Sequence, residues 1–191
     1  MSEAAGARRG PSGRVVAVLA LLVAGALGLL GATQPWATVA LVDGRMLATA
    51  GQEIAGGLTI LSLATVALAL VLPLAGRVWR LVLGALALAL GVLMAVHAAG
   101  AVAGVGPALE ALVAEATGLA GTAQQAEVAE LATTGWSSAA TAGGALAALA
   151  GVWVLLTAHR WPARAPRTAR YERTGSGLAW DAMDDGEDPT R

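Results

Sequence analysis

The sequence contains no cysteine and no lysine, and only 13% of its 191 residues are charged. Without cysteine, the chain has no disulfide framework, no thiolate metal site and no thiol nucleophile. A water-soluble domain carries charge on roughly a quarter of its residues. The low charge, together with a hydrophobic content of 57%, therefore disfavours a soluble helical bundle.

The hydrophobic residues are concentrated in four stretches that contain no Asp, Glu, Lys or Arg. These stretches cover residues 15–32, 54–75, 81–100 and 137–158, and each has 18 to 22 residues. An α-helix of that length crosses a hydrocarbon core of about 30 Å at about 1.5 Å per residue. The sequence therefore predicts an all-α membrane protein, built as a bundle of four transmembrane helices.

The arginines alternate around these stretches and indicate an orientation. Three precede the first stretch, two lie between the second and third, and five follow the fourth within 160–173. The other connections, 33–53 and 101–136, hold one arginine and six acidic residues. Because positive charge is enriched in cytoplasmic loops, we expect a multi-pass protein of the cell membrane with both termini in the cytoplasm.

Three parts of the chain follow from this pattern. We predict a disordered cytoplasmic lead over residues 1–13, a four-span membrane domain over 14–161 and a disordered, polar cytoplasmic tail over 162–191. The first stretch could instead be the apolar region of a cleaved signal peptide. Its 18 residues exceed the usual length of about 7–15, so an uncleaved span is favoured.

The first outer connection predicts a β-hairpin from Trp36 to Thr49. Strand-forming residues lie on both sides of Asp43-Gly44, a dipeptide typical of a type I′ turn. An isolated hairpin is marginally stable in water. We therefore expect it to pack on the outer helix ends or on the second outer connection.

The second outer connection shows helical spacing of its apolar residues. The spacing of Leu109, Leu112, Val113 and Ala116 predicts a short amphipathic helix over 107–116, with Pro107 as its first residue. A second short helix is predicted over 124–132, and the two should lie across the outer end of the bundle.

Glycines recur within the apolar stretches at intervals of seven or three residues. Such spacing places them on one helix face and lets backbones approach closely inside lipid. We therefore predict glycine-mediated packing of the helices. The series are Gly84 and Gly91, Gly144 and Gly151, and Gly25, Gly28 and Gly31.

A few polar residues lie within the predicted spans. Thr59, Ser62 and Thr65 either line a substrate path or bond to neighbouring helices and to their own helix, and the second interpretation is favoured. His97 lies about 25 Å beyond Arg80 at about 1.5 Å per residue, near the outer interface. A proton relay would need ionisable partners inside the spans, so a transport or catalytic role for His97 is disfavoured.

The sequence carries no recognisable catalytic constellation. There is no glycine-rich phosphate loop after a strand, no histidine pair at metal-ligand spacing and no serine nucleophile elbow. The acidic residues over 181–188 lack the 12-residue spacing of a calcium loop. We therefore predict a protein that is not an enzyme and holds no cofactor or metal.

Two cytoplasmic segments are candidates for contact with other molecules. The arginines of Arg160–Arg173 favour anionic lipid headgroups, by about 1 kcal/mol per charge, over nucleic acid, which we do not expect as a partner. Trp180 lies within an acidic frame and could anchor a basic protein partner or fold back on the arginine segment.

The predicted interaction residues are Gln34, Pro35, Trp36 and Trp136 on the outer side, and Trp180, Asp181, Asp184, Gly186, Glu187, Asp188 and Pro189 in the tail.

Two phrases of the sequence resemble a known family. Thr33-Gln34-Pro35-Trp36 follows the first span, and the tail ends in the run WDAMDDGEDPT over 180–190. Both resemble the tryptophan-biosynthesis-associated (tryptophan operon-associated) membrane proteins of high-GC Gram-positive bacteria. The resemblance implies a small four-span protein encoded among tryptophan-pathway genes, with no catalytic residues to carry over.

Three functions stay open at this point. The favoured one is a non-enzymatic membrane accessory or scaffold linked to tryptophan biosynthesis, with a protein partner at the cytoplasmic tail. The second is a small transporter or exporter subunit for tryptophan or a related aromatic compound, which would have to form a homo-oligomer. A membrane enzyme is the least favoured.

Overall fold

The structure is a computed structural model that describes residues 13–161. Seven α-helices and three β-strands make up this part of the chain, joined in places by short 3₁₀ turns. In chain order they are α1 (Gly13–Thr33), β1 (Pro35–Leu41), β2 (Met46–Ala50), α2 (Gly51–Ile54), α3 (Leu58–Val71), α4 (Arg77–Ala101), α5 (Val105–Thr117), α6 (Thr122–Ala126), β3 (Val128–Thr133) and α7 (Trp136–Thr157).

Three helical segments are long and apolar enough to cross a membrane. They are Gly13–Thr33, Arg77–Thr117, which joins α4 to α5, and Trp136–Arg160, which extends α7 by one 3₁₀ turn. Their apolar character confirms three of the predicted stretches as membrane-compatible helices. Helix α1 ends just before Pro35, because proline has no N–H to continue the helical ladder.

The second predicted stretch, 54–75, forms a shorter helix than expected. Residues Gly51–Ile54 form the separate helix α2, and α3 begins only at Leu58, after Gly56-Gly57. At its other end α3 passes into a 3₁₀ turn over Leu72–Leu74, which contains Pro73. Glycine weakens helix initiation and proline removes a helical donor, so the apolar helix covers Leu58–Leu74.

The long helices pack through glycine, as predicted. A Cβ added to Gly91 of α4 would lie 2.7 Å from the carbonyl oxygen of Gly144 on α7, and one added to Gly151 would lie 2.9 Å from that of Gly84. Gly143 meets α1 in the same way, with a Cβ 2.8 Å from the carbonyl oxygen of Ala24. Because real Cβ atoms do not approach backbone this closely, α7 contacts α1 and α4 directly through the main chain.

The three strands form one antiparallel sheet with β1 in the centre, between β2 and β3. The predicted hairpin is confirmed as the pair β1–β2, but the predicted type I′ turn is wrong. The Gly44 N–H donates to the Leu41 carbonyl at 3.0 Å, and Gly44 has a positive φ of 85°. Asp43 keeps a negative φ, so the turn is the three-residue kind with glycine in the left-handed position.

The second outer connection corrects another prediction. Helix α5 confirms the first amphipathic helix, but the second helix, predicted over 124–132, is wrong. Residues Thr122–Ala126 form the one-turn helix α6 and Val128–Thr133 form strand β3. Alanine and glutamate favour helix locally. However, β3 supplies hydrogen-bond partners for the backbone groups along the second edge of β1, whose residues Ala37 and Val39 are buried. Satisfying these backbone groups outweighs the local preference for helix.

The helix ends that carry arginine meet at one end of the bundle, called here the arginine end. An Arg14 guanidinium nitrogen donates to the Pro73 carbonyl. The side chain of Arg80 is buried, with Nε 3.1 Å from the Ala75 carbonyl oxygen and Nη1 3.3 Å from that of Trp161. Its guanidinium carbon also lies 5.8 Å from the centre of the Trp161 ring, which is within cation–π range. These contacts join α1, α3, α4 and α7 at the end opposite the sheet.

The glycine contacts generate a test in which two substitutions on the same helix are compared. We expect Gly91→Ala to lower the free energy of unfolding by about 1–3 kcal/mol, because the added methyl group meets the backbone of α7. Gly100→Ala, also in α4 but with open space around the new methyl group, should be unchanged or stabilised by up to about 1 kcal/mol through helix propensity. Reversible denaturation in detergent micelles measures both, and equal stabilities would contradict the packing.

Candidate functional site

The strands β1, β2 and β3 together with α5 and α6 form a small cap at one end of the bundle. Its core contains buried side chains from the central strand and from one face of α5, among them Val39, Leu41, Leu109 and Val113. The apolar spacing on α5 is the reason that this face turns toward the sheet. The cap therefore has its own hydrophobic core, separate from those of the bundle.

A pocket of about 380 Å³ lies in the cap between α5, α6 and the sheet. Val39, Leu109 and Val113 form its base and are 1–3% exposed. Small-molecule sites are concave, mostly apolar and about 300–1,000 Å³ in volume, so this pocket has the size and the lining of one. Its remaining lining residues are Gly106, Glu110, Gly121, Gln124, Gln125, Val128 and Leu131.

The mouth of the pocket is polar and carries a carboxylate. Glu110 and Gln125 are exposed there, and the side-chain amide of Gln124 donates to the backbone carbonyl of Glu110 at 2.5 Å. Gly118 and Gly121, which flank the segment leading into α6, both have positive φ. The course of this segment therefore depends on left-handed backbone conformations that residues other than glycine rarely adopt.

The cap has an excess of negative charge. Its one arginine, Arg45, is paired with Asp43 at 2.6 Å. The backbone N–H and then the side chain of Arg45 hold the pKa of the Asp43 carboxyl below its usual value. Four further carboxylates of the cap have no cationic partner among residues 13–161, so the potential at the pocket mouth is negative. These are Glu110, Glu115, Glu127 and Glu130.

The predicted motif residues Gln34, Pro35 and Trp36 form the corner between α1 and the cap. Continuing the helical ladder would require an N–H at position 35 to reach the Gly31 carbonyl, and Pro35 has none. The indole N–H of Trp36 donates to that carbonyl instead, at 2.7 Å. The motif thus ends α1 and satisfies the carbonyl that proline leaves open.

Other segments hold this corner in place. The Thr134 hydroxyl donates to the Pro35 carbonyl at 2.5 Å, and the Thr134 N–H donates to the Trp36 carbonyl at 2.9 Å. The Gly51 N–H donates to the Gln34 carbonyl at 3.2 Å. A Cβ at Gly51 would collide with Nε1 of the Trp36 ring and lie 2.8 Å from its Cε2, so glycine is needed for this close approach.

The structure changes the role of Trp36. The sequence offered it as an outer interaction residue, but Trp36 is 1% exposed and its N–H is bonded internally. Trp136 is half-buried and packs against the same apolar cluster as Trp36. Gln34 and Pro35 are also half-buried. The four outer candidates are therefore brought together, chiefly as structural residues of the corner.

Two of the three polar residues of α3 bond within their own helix, as the favoured interpretation predicted. The Ser62 hydroxyl donates to the Leu58 carbonyl at 2.7 Å, and the Thr65 hydroxyl donates to the Leu61 carbonyl at 2.8 Å. The Thr59 hydroxyl is buried and has no partner within the described chain. His97 is exposed on α4.

Several sequence predictions fall outside the part of the chain that the structure describes. All of the tail candidates, from Trp180 to Pro189, lie there, as does the arginine segment beyond Trp161. Within residues 13–161 no group of three or more His, Cys, Asp or Glu side chains is placed to hold a metal ion.

Neither the pocket nor the burial of Arg80 follows from local sequence patterns. The pocket depends on strand β3, which local spacing assigns to a helix, so its walls come together only through long-range pairing. The sequence feature that could have indicated the burial of Arg80 is its position at the boundary of an apolar stretch, four residues after Gly76. Arginines at such boundaries extend along apolar surface, but which carbonyls they reach depends on the fold.

A comparison with protein families gives one match that covers most of the chain. The model described as "Tryptophan-associated transmembrane protein" matches residues 18–190. No curated protein and no solved structure matches this chain.

The corner around Trp36 leads to a stability prediction. We expect Trp36→Phe to lower the free energy of unfolding by about 1–3 kcal/mol, because the buried Gly31 carbonyl loses its donor. Trp79→Phe is the matched control, since Trp79 is 66% exposed, and it should change stability by less than about 0.5 kcal/mol. Thermal unfolding in the same detergent compares the two, and a loss as small as the control's would argue against the corner bond.

Proposed function

The chain belongs to the tryptophan-associated transmembrane protein family, and on this premise we propose that it serves as a non-enzymatic accessory or scaffold linked to tryptophan biosynthesis. It is a membrane protein linked to the tryptophan operon. In this role the protein binds other molecules at the two ends of the bundle and catalyses no reaction.

The observation that supports this proposal is the direct glycine packing of the long helices. Helix α7 meets both α1 and α4 backbone to backbone at glycines, and at these contacts no solute fits between the helices. Among the described residues, the buried ionisable side chain is that of Arg80, and it lies at the arginine end. A carrier needs a binding site near the midplane and a path to each side, and this packing supports an accessory instead.

We also propose that the protein spans the cell membrane four times. The helix Leu58–Leu74 runs about 25 Å at about 1.5 Å per residue, slightly less than the hydrocarbon core, and local thinning of the bilayer accommodates such a difference at small cost. It begins beside the cluster that contains Trp36 and ends at Pro73, where Arg14 binds. It therefore connects the same two ends as α1. The arginine end faces the cytoplasm, and the cap faces outward.

The cytoplasmic tail is the proposed site of partner binding. Its acidic run around Trp180 combines an aromatic anchor with negative charge, and this suits a basic surface on a cytoplasmic protein. The preceding arginines, Arg160–Arg173, would hold the start of the tail against anionic lipid headgroups. In this scheme the bundle fixes the tail at the membrane and the tail selects the partner.

A carrier for tryptophan or a related aromatic compound is the alternative. The packing of a single chain does not favour it, and a path would have to form between two or more copies. The outer helix surfaces offer many exposed apolar side chains for such contacts, but these are equally suited to lipid.

The proposed orientation can be tested with introduced cysteines, because the chain has none of its own. Ala123→Cys places a thiol on the exposed surface of the cap, and Gly76→Cys places one in open space at the arginine end. A membrane-impermeant maleimide should label the first in intact cells and the second only after permeabilisation. If only Gly76→Cys were labelled in intact cells, the arginine end would face outward and the proposed orientation would be wrong.

The partner proposal is tested by crosslinking in native membranes followed by purification of the full chain. A chain ending after Arg173 should lose the crosslinked cytoplasmic proteins. Trp180→Ala should lose them as well, because the aromatic anchor is removed, whereas Trp180→Phe should retain them. If the truncated chain captures the same proteins, the tail is not the contact. That result combined with altered tryptophan uptake or efflux on deletion would favour the carrier instead.

A further inference from the structure

We propose that the pocket in the cap binds a small molecule that has an apolar ring body and a cationic amino group. This inference goes beyond the accessory role and does not depend on the cytoplasmic tail. It rests on three features of the cap: an apolar base, a carboxylate at the mouth, and a surplus of negative charge around it.

The base of the pocket selects for an apolar body. Val39, Leu109 and Val113 come from the central strand and from α5, and they are held in the core of the cap. Their packing fixes the shape of the base, so a ligand finds a preformed surface. The volume of about 380 Å³ lies near the lower end of the usual range for small-molecule sites. A body of one or two rings fits this space better than a lipid chain or a peptide.

The mouth of the pocket selects for a positive charge. Glu110 lies at the mouth on the exposed side of α5, and its backbone carbonyl is tied to Gln124, which positions α6 beside it. Arg45, the arginine of the cap, is engaged with Asp43 and with the Ala116 carbonyl. The carboxylate of Glu110 therefore has no cation among the described residues, and a ligand ammonium group would supply one.

The negative charge of the whole cap also favours a cationic ligand. Glu115, Glu127 and Glu130 add to the negative potential, and at physiological salt this potential acts over about 8 Å. An anionic ligand of the same ring size would be repelled, and a neutral one would gain only from the base. The order of affinity should therefore follow the ligand's charge, from cation through zwitterion and neutral molecule to anion.

Four probes that share one ring body test this order. They are tryptamine as the cation, tryptophan as the zwitterion, indole as the neutral molecule and indole-3-propionate as the anion. Isothermal titration of the full chain in nanodiscs of zwitterionic lipid, with empty nanodiscs as the blank, measures each affinity. We expect tryptamine to bind most tightly and indole-3-propionate most weakly. Absence of tryptamine binding, or equal affinity for the cation and the anion, would overturn the proposal.

Two variants locate the binding in the pocket. Gly106 lines the pocket, has an ordinary helical conformation and has open space at its Cβ position, so Gly106→Trp should fill the mouth and lower tryptamine affinity at least about tenfold. Ala111→Trp adds the same ring to the exposed surface of α5, away from the pocket, and should leave the affinity unchanged. Equal effects of the two substitutions would place the binding elsewhere.

The charge contribution is isolated by Glu110→Gln, which keeps the shape of the side chain. Tryptamine affinity should fall about two- to fivefold, the range for a solvent-exposed ion pair, whereas indole affinity should stay the same. A chain ending after Arg173 should bind tryptamine as tightly as the full chain does. Loss of partner capture with retained tryptamine binding would therefore separate the two proposals, and an unchanged tryptamine affinity in Glu110→Gln would refute the role of this carboxylate.

Discussion

Direct contact between helix backbones at glycine determines how the rest of the bundle is arranged. Inside lipid the hydrophobic effect does not draw helices together, so close van der Waals packing has to do so. Gly143 and Gly144 are adjacent on α7, and the first meets α1 while the second meets α4. One helix thereby holds two neighbours without large side chains between them. The large apolar side chains are left on the outside, among them Ile60, Leu149 and Leu156 at 66–70% exposure, where hydrocarbon can surround them.

The corner at Pro35 and Trp36 connects this closely packed bundle to the cap. Proline ends α1 and leaves one carbonyl open, and the next residue supplies the donor that closes it. Because the bonds of Thr134 and Gly51 fix the same corner, the start of β1 is placed relative to α1 and to α7. The central strand then positions both of its neighbours, and α5 packs on the sheet they form. A motif that resembles a surface recognition site in the sequence is thus a joint between the bundle and the cap.

The features that sequence could predict are those that depend on residue type at short spacing. Long uncharged runs predicted the three long helices, the seven-residue glycine intervals predicted the face of α4 that meets α7, and strand formers around Asp43-Gly44 predicted the hairpin. Strand β3 was missed because its residues favour helix locally and its pairing with β1 joins distant parts of the chain. The pocket was missed for the same reason. The bond from Trp36 to Gly31 could have been anticipated, since a tryptophan directly after a helix-ending proline has an open carbonyl within reach.

The glycine contacts have a consequence for how the two ends of the bundle can influence each other. Because α7 packs directly on α1 and α4, a molecule bound on one side would affect the other side through the helices themselves or through a partner. The cap offers a pocket with negative charge, and the arginine end offers positive charge and a buried guanidinium within cation–π range of Trp161. The two ends are thus chemically opposite and are joined by packing that resists deformation. A ligand in the cap would therefore act on a partner at the arginine end by shifting whole helices, because these glycine contacts leave little room for one helix to move alone.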